Sequence, residues 1–240
     1  MVEQQKSYPS LQDIPPREYM YFPKGTLEMG KPGKFSKTEI IHLAIALLIL
    51  TFAFSFPLSQ SHLLFGSINL EAWVLALPAS FLALLTAFFV HELSHKFMPQ
   101  KYGLWSEFRM FPAGLALSFF LALFTGVVFA APGAVMFQGE TRPFETGRIA
   151  AAGSLANIII AAITLPLYLF VVFETGFLGK MVGFICAVNA LLATFNLLPF
   201  ATLDGKKVIH WNGIVWAVLF ICALLLTINI LPRLPYFLSY

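Results

Sequence analysis

Charge is scarce in this sequence. Aspartate, glutamate, lysine and arginine make up 11% of its 240 residues, less than half of the roughly 25% found in an average soluble domain. That excludes an ordinary water-soluble globule, which needs a charged surface. The small cationic excess, a net charge of +3, forms no basic patch interleaved with aromatics, so no nucleic-acid partner is expected. Cysteine is nearly absent. Cys186 and Cys222 both lie in apolar stretches and read as small packing residues rather than a disulfide or a metal pair. No internal repeat or low-complexity tract is present, which removes support for the inverted-repeat plan common in secondary transporters.

Apolar sequence is what the chain has in quantity, at 58% hydrophobic residues. These fall in blocks of about 18 or more, long enough at 1.5 Å per residue to cross roughly 30 Å of hydrocarbon. Spans are predicted at Ile40 to Phe56, Trp73 to Met98, Ile149 to Phe173, Met181 to Phe200 and Ile214 to Leu231. A further apolar block runs from Met110 to Phe137. Within it, helix-favouring LALSFFLALF gives way at Thr125 and Gly126 to VVFAAPGAVMF, whose valines and phenylalanines tolerate an extended backbone. Either the block enters and returns on one side, with an edge strand able to pair with a substrate backbone, or it crosses as a plain helix with a Pro-Gly end. The expected fold is an all-α polytopic membrane protein with five transmembrane helices plus a re-entrant segment near 110–137, six transmembrane helices being the alternative.

Residues 1–38 are polar and contain PP, PKG and KPGK elements that disfavour helix. The first apolar block comes too late for an ordinary signal peptide. They read as a cytoplasmic N-terminal tail, whose lysines either hold it on that side of the bilayer or touch anionic lipid. Residues 39–240 read as a single transmembrane domain.

The chemistry is concentrated in FFVHELSHKFM, residues 88–98. On a helix His91 and His95 share a face and both imidazoles reach one cation, while Glu92 flanks the open coordination position. Zinc bound there would lower the pKa of a water toward neutrality, and the carboxylate would take its proton as it attacks a carbonyl carbon. The plainer reading is a helix end whose polar groups snorkel to the interface, since Lys96 and Lys101 mark a nearby membrane boundary. Against it, the chain has only five histidines, and ionisable groups inside a span are functional candidates by default.

A third ligand must come from elsewhere, and FNLLPFATLDGKK offers Asp204. Pro199 removes a helical hydrogen bond and Gly205 permits angles that other residues avoid, so the helix is expected to loosen and turn Asp204 inward. Otherwise Asp204 ends an ordinary helix in the headgroup region.

HELSH at 91–95 together with NLLPFATLDG at 196–205 resembles the site-2 protease family of intramembrane zinc metalloproteases, whose pattern is HExxH followed by NxxPxxxLDG. The resemblance implies one zinc ion per chain held by His91, His95 and Asp204, with Glu92 as catalytic base. It also implies a site role for Asn196, whose amide would donate to the developing oxyanion or to the substrate backbone; helix packing is the alternative for that residue. AAGSLANI, residues 151–158, is similar to the family's G-P-x-x-N segment, with Ser154 in place of proline, and places Asn157 behind the ligands unless its small neighbours merely let helices approach closely. Ser94 stands where the family usually has glycine. The resemblance covers about residues 88–207.

Both halves of a metal site must lie at the same depth. A crossing by the 110–137 block puts Asp204 on the side opposite HELSH, whereas a re-entrant block lets them meet. The re-entrant threading also gathers Lys96, Lys101, Arg109, Arg142, Arg148, Lys206 and Lys207 with the tail on the cytoplasmic side, leaving Lys180 and Arg233 outside. The expected protein is therefore a multi-pass cell-membrane endopeptidase that cuts transmembrane helices of other membrane proteins within the lipid bilayer, near its cytoplasmic side. The alternative is a non-enzymatic divalent-metal-binding membrane protein, a transporter or an inactive scaffold. For that protein Glu92 has no task, and His42, His62 and His210 are scattered near span ends rather than forming a relay.

Overall fold

A computed structural model describes residues 33–64, 66–128, 132–137, 139–172 and 176–234. Most of the predicted tail, residues 1–32, lies outside the described residues, as do Phe173 and residues 129–131 of the VVFAAPGAVMF stretch.

The first helix, α1 (Lys37–Leu58), starts where Ser36 accepts from the Glu39 N–H, satisfying one of the donors that every helix start leaves open. Asn69 caps α2 (Leu70–Leu84) in the same way. A π-helical turn, Leu85–Phe89, then carries the chain without a break into α3 (Val90–Lys101). The remaining elements are β1 (Ser106–Met110), α4 (Pro112–Thr125), β2 (Gly133–Phe137), α5 (Pro143–Leu167) with a π-helical extension Tyr168–Val172, α6 (Phe177–Asn196), α7 (Asp204–Trp211) and α8 (Gly213–Ile230).

Among the described residues, five helices are long and apolar enough to cross a membrane: 37–58, 70–101, 143–171, 177–196 and 213–233. The protein is an all-α polytopic membrane protein, to which the described residues add a two-stranded ribbon. α4 has 14 residues, about 21 Å at 1.5 Å per residue, too short to cross. Gly126 stops it in a left-handed conformation, φ 72°, which glycine adopts without steric cost. β1 and β2 then pair antiparallel, Ser106 opposite Phe137 and Met110 opposite Gly133. The chain returns to where it left, so the block between is re-entrant and the sixth crossing is excluded. β1 itself was not expected, because SEFRM has too few apolar residues to be read as a strand.

The fourth span ends at Asn196, not at Phe200. Pro199 disfavours helix in the residue before it, and the chain turns through Ala201 at φ 54°. The core between α1, α2 and the ribbon is built from small residues on one face, Ala76, Ala79, Ala83 and Ala87, with Phe88 and Phe108 filling the space they leave. Cys186 is buried and Cys222 exposed, both as free thiols.

Lys96 does not snorkel to an interface. It is fully buried, with its Nζ 2.7 Å from the equally buried Glu39. A carboxylate within reach makes burial of an ammonium tolerable where an unpaired charge would not be.

Candidate metal centre

His91 and His95 lie one turn apart on α3 and are both buried. α5 crosses directly over them. A Cβ at Gly153 would come 2.4 Å from His95 Nε2 and 2.8 Å from His91 Nε2, so any larger residue would press on the two imidazoles.

Each imidazole is fixed by its other nitrogen. His95 Nδ1 lies 2.8 Å from the Ile149 carbonyl oxygen, which can only accept, so Nδ1 carries the proton. His91 Nδ1 lies 2.5 Å from Asn157 Oδ1. The amide of Asn157 is oriented by its own donations from Nδ2, to Ala87 O at 2.9 Å and to Asn189 Oδ1 at 2.9 Å, which leaves Oδ1 facing His91 as an acceptor. Asn189 donates in turn to Thr86 Oγ1 at 3.0 Å and Ile185 O at 2.9 Å. The π-helical turn contributes here: its ladder runs to the fifth residue, as in Val90 N–H to Leu85 O, and spreads the backbone so that a side chain reaches the Ala87 carbonyl. Both Nδ1 atoms therefore donate, and both Nε2 lone pairs are available to a cation.

Asp204 completes the cluster from the first turn of α7. Its loop does turn it inward, but the part played by Gly205 differs from the expectation. Gly205 is helical and is not among the residues with positive φ. Its hydrogen lets α7 pack against the end of α6, where a Cβ would fall 2.0 Å from Leu197 O. At the other end of α7, Trp211 lies over Gly147 of α5, where an added Cβ would come 2.3 Å from Trp211 Cβ and 2.4 Å from the indole. Val208 packs on Ala150 and Ala151 between these two contacts. Trp216 of α8 donates to Leu197 O at 2.8 Å, fixing the turn before Asp204.

His91, His95 and Asp204 form a group able to hold a metal ion. The Nε2 atoms are 3.0 Å apart, and Asp204 Oδ2 lies 3.0 Å from His95 Nε2 and 3.9 Å from His91 Nε2. Ligands on a tetrahedral zinc, bonded at about 2.0 to 2.1 Å, stand roughly 3.3 Å from one another, so the donor set fits. Burial opposes ionisation of Asp204, but a proton on His95 Nε2, with Lys207 and then His91 behind it, outweighs the burial and holds the carboxyl well below the usual carboxylate range. A divalent cation between the same atoms acts in the same direction. Asp204 Oδ1 is engaged separately, 3.2 Å from Lys207 Nζ.

Glu92 is buried beside this trio without belonging to it. The Val135 N–H, on the outer edge of β2, faces its carboxylate. Asn196 is the last residue of α6 and half-buried, and no hydrogen bond among the described residues joins it to His91, Glu92, His95 or Asp204. His42, His62 and His210 stand outside the metal group. Sequence reasoning missed Asn189 and the steric demand at Gly153. An amide side chain inside an apolar span was the available signal for Asn189; Gly153 gave none beyond its small size.

A curated protein of Methanocaldococcus jannaschii that bears the name "Putative zinc metalloprotease" is 40% identical to this chain over 187 residues, which cover 77% of the chain and 90% of that protein. No family model and no solved structure matches the chain.

Proposed function

The chain belongs to the zinc metalloprotease family represented by that archaeal protein, and we propose that it is an intramembrane endopeptidase of the site-2 protease type, cutting transmembrane helices of other membrane proteins near the cytoplasmic face. The observation that carries this reading is the buried Glu92 carboxylate beside, but outside, a three-donor ligand group. A site that only stores or transports a cation has no task for such a group.

Three protein donors leave one position of a tetrahedral zinc for water or substrate, and zinc bound there would supply Lewis acidity to both. The residues do the rest. Asn157 and the Ile149 carbonyl hold the two imidazoles in the tautomer that presents Nε2. Glu92 takes a proton from the attacking water and returns it to the leaving amide nitrogen as the peptide C–N bond breaks. Val135 orients the Glu92 carboxylate by facing it with an N–H. Asn196 donates to the oxyanion that develops on the scissile carbonyl. A helical substrate must unwind before hydrolysis, and the outer edge of β2 offers a strand partner for its exposed backbone groups.

The ends of the helices support the orientation. Lys37, Lys101, Arg142, Arg148, Lys206 and Lys207 lie at the metal-centre ends of their helices, while Lys180 and Arg233 lie at the opposite ends. Because Lys and Arg accumulate on the cytoplasmic side, the metal centre and the N-terminus face the cytoplasm of a cell-membrane protein.

Purified Glu92→Gln protein is expected to keep its metal and lose about 10²- to 10⁴-fold of its cleavage of a single-span substrate. Unchanged cleavage would sink the mechanism. For the orientation, cysteines at Gly139 or Lys101, with Cys186 and Cys222 first changed to alanine, should react with an impermeant thiol reagent only once the cytoplasmic face is opened. Labelling in sealed cells would reverse the assignment.

A further inference from the structure

The pair Glu39 and Lys96 lies away from the metal ligands, on the far side of the ribbon. Glu39 is in the first turn of α1, and Lys96 follows His95 on α3. Both are 0% exposed. Glu39 Oε1 accepts from the Phe108 N–H at 3.0 Å. His42, one turn further along α1, accepts from the Met110 N–H at 3.4 Å. Lys96 Nζ donates to Ser106 O at 2.9 Å as well as to Glu39, and Ser106 Oγ donates to Lys96 O at 2.6 Å. In an antiparallel pair alternate residues point their N–H and C=O groups away from the partner strand. Ser106, Phe108 and Met110 are those residues of β1, so the edge at which another strand could add is occupied by side chains.

Phe108 stands opposite Val135 in the ribbon. Its N–H points out to Glu39, and the Val135 N–H points the other way, to Glu92. One cross-strand pair thus lies between two carboxylates, hydrogen-bonded to Glu39 on one side and facing Glu92 on the other.

We propose that Glu39 and Lys96 are positioning residues for the hydrolysis: they close the β1 edge to strand addition and hold the ribbon where the β2 edge faces Glu92, so that β2 is the side that takes a substrate backbone. The inference rests on the peptidase reading above. Neither residue touches the metal ligands' donor atoms. Apolar side chains of similar volume would join α1 to α3 at least as well as a buried ion pair does. They could not accept from a strand N–H or donate to a strand C=O, and unpaired edge groups invite wrong pairing. Because Lys96 is adjacent to His95, the same contact ties the ribbon to the helix that carries two of the ligands.

Two charge-free double variants of the full chain separate edge closure from bulk stability. Glu39→Gln/Lys96→Met keeps the acceptor for the Phe108 N–H, and Glu39→Leu/Lys96→Met removes it. Metal content, amide hydrogen exchange over residues 106–110 and 133–137, and cleavage of a single-span peptide are measured for both and for wild type. Both variants should hold metal as wild type does. The Gln/Met protein, which keeps the acceptor for the Phe108 N–H but lacks the Lys96 donor to Ser106 O, should lie between wild type and the Leu/Met protein in exchange and in cleavage. The Leu/Met protein should exchange the ribbon amides faster and lose about tenfold or more in kcat, with a smaller change in KM, because the carbonyl is no longer aligned with Glu92. Equal exchange and equal cleavage in the two variants would overturn the proposal. So would loss of metal in the Leu/Met protein, which would make the pair a support for α3 alone. If wild type cleaves no peptide, the peptidase reading fails, and the exchange comparison still decides whether the pair holds the ribbon.

Discussion

His91 and Phe108 each carry a polar N–H deep in the protein, and each is satisfied by a partner from a distant part of the chain. For His91 that partner is Asn157, itself locked to α6 and the π-helical turn by four further hydrogen bonds through Asn189 and Ala87. For Phe108 it is the Glu39 carboxylate, balanced by one ammonium. The first arrangement is neutral, redundant and shared among helices. The second depends on two charges and a short ribbon. Rigid support therefore surrounds the ligands, while the part that would meet a substrate is held at its edge.

On this contrast, substitutions around the ligands should change metal content, and substitutions in the ribbon should spare it. The largest effect is expected for Asp204→Ala, which removes one of three donors: metal content by elemental analysis should fall from near one per chain to a small fraction. Equal metal in the variant and wild type would assign the third donor elsewhere. Gly153→Ala comes next. Its methyl would sit 2.4 Å from His95 Nε2, so titration should show metal affinity sharply reduced while the helices stay intact by circular dichroism. Asn157→Ala leaves the His91 ring unoriented and should weaken metal binding by about 10- to 100-fold, the usual range for loss of such a supporting contact. Smallest for the metal is Gly133→Ala in β2, where the backbone has φ 144° and a Cβ would meet Arg109 O at 2.2 Å. It should lower turnover several-fold at full metal occupancy. Metal loss in that variant would erase the distinction between the two regions.

The two regions also differ in how far they can be read from sequence. His91, Glu92 and His95 are legible because their relation is local: a four-residue spacing on a helix fixes it. Five spans follow from apolar run length alone. Asp204 was found through its neighbours, but for only part of the right reason, since Gly205 is required by contact with the Leu197 backbone and not by its own dihedral angles. The burial of Lys96 was not legible because its partner, Glu39, is 57 residues away and no local pattern pairs them. The strand at Ser106–Met110 was invisible for a related reason. Its Glu107 and Arg109 form an ion pair with each other in a place where a polar pentapeptide reads as a loop. Long-range complementarity leaves no periodicity behind.

The π-helical turn at Leu85–Phe89 behaves as a one-residue insertion in a helical rod of 32 residues. One residue is about 100° of rotation around a helix axis. The apolar face set by Ala76, Ala79 and Ala83 and the face that carries His91 and His95 are therefore offset in angular phase, so one continuous rod can turn its first half toward α1 and α6 and its second toward α5. Deleting a single residue within the turn would keep the span and every ligand, yet swing both imidazoles away from Gly153 and Asp204.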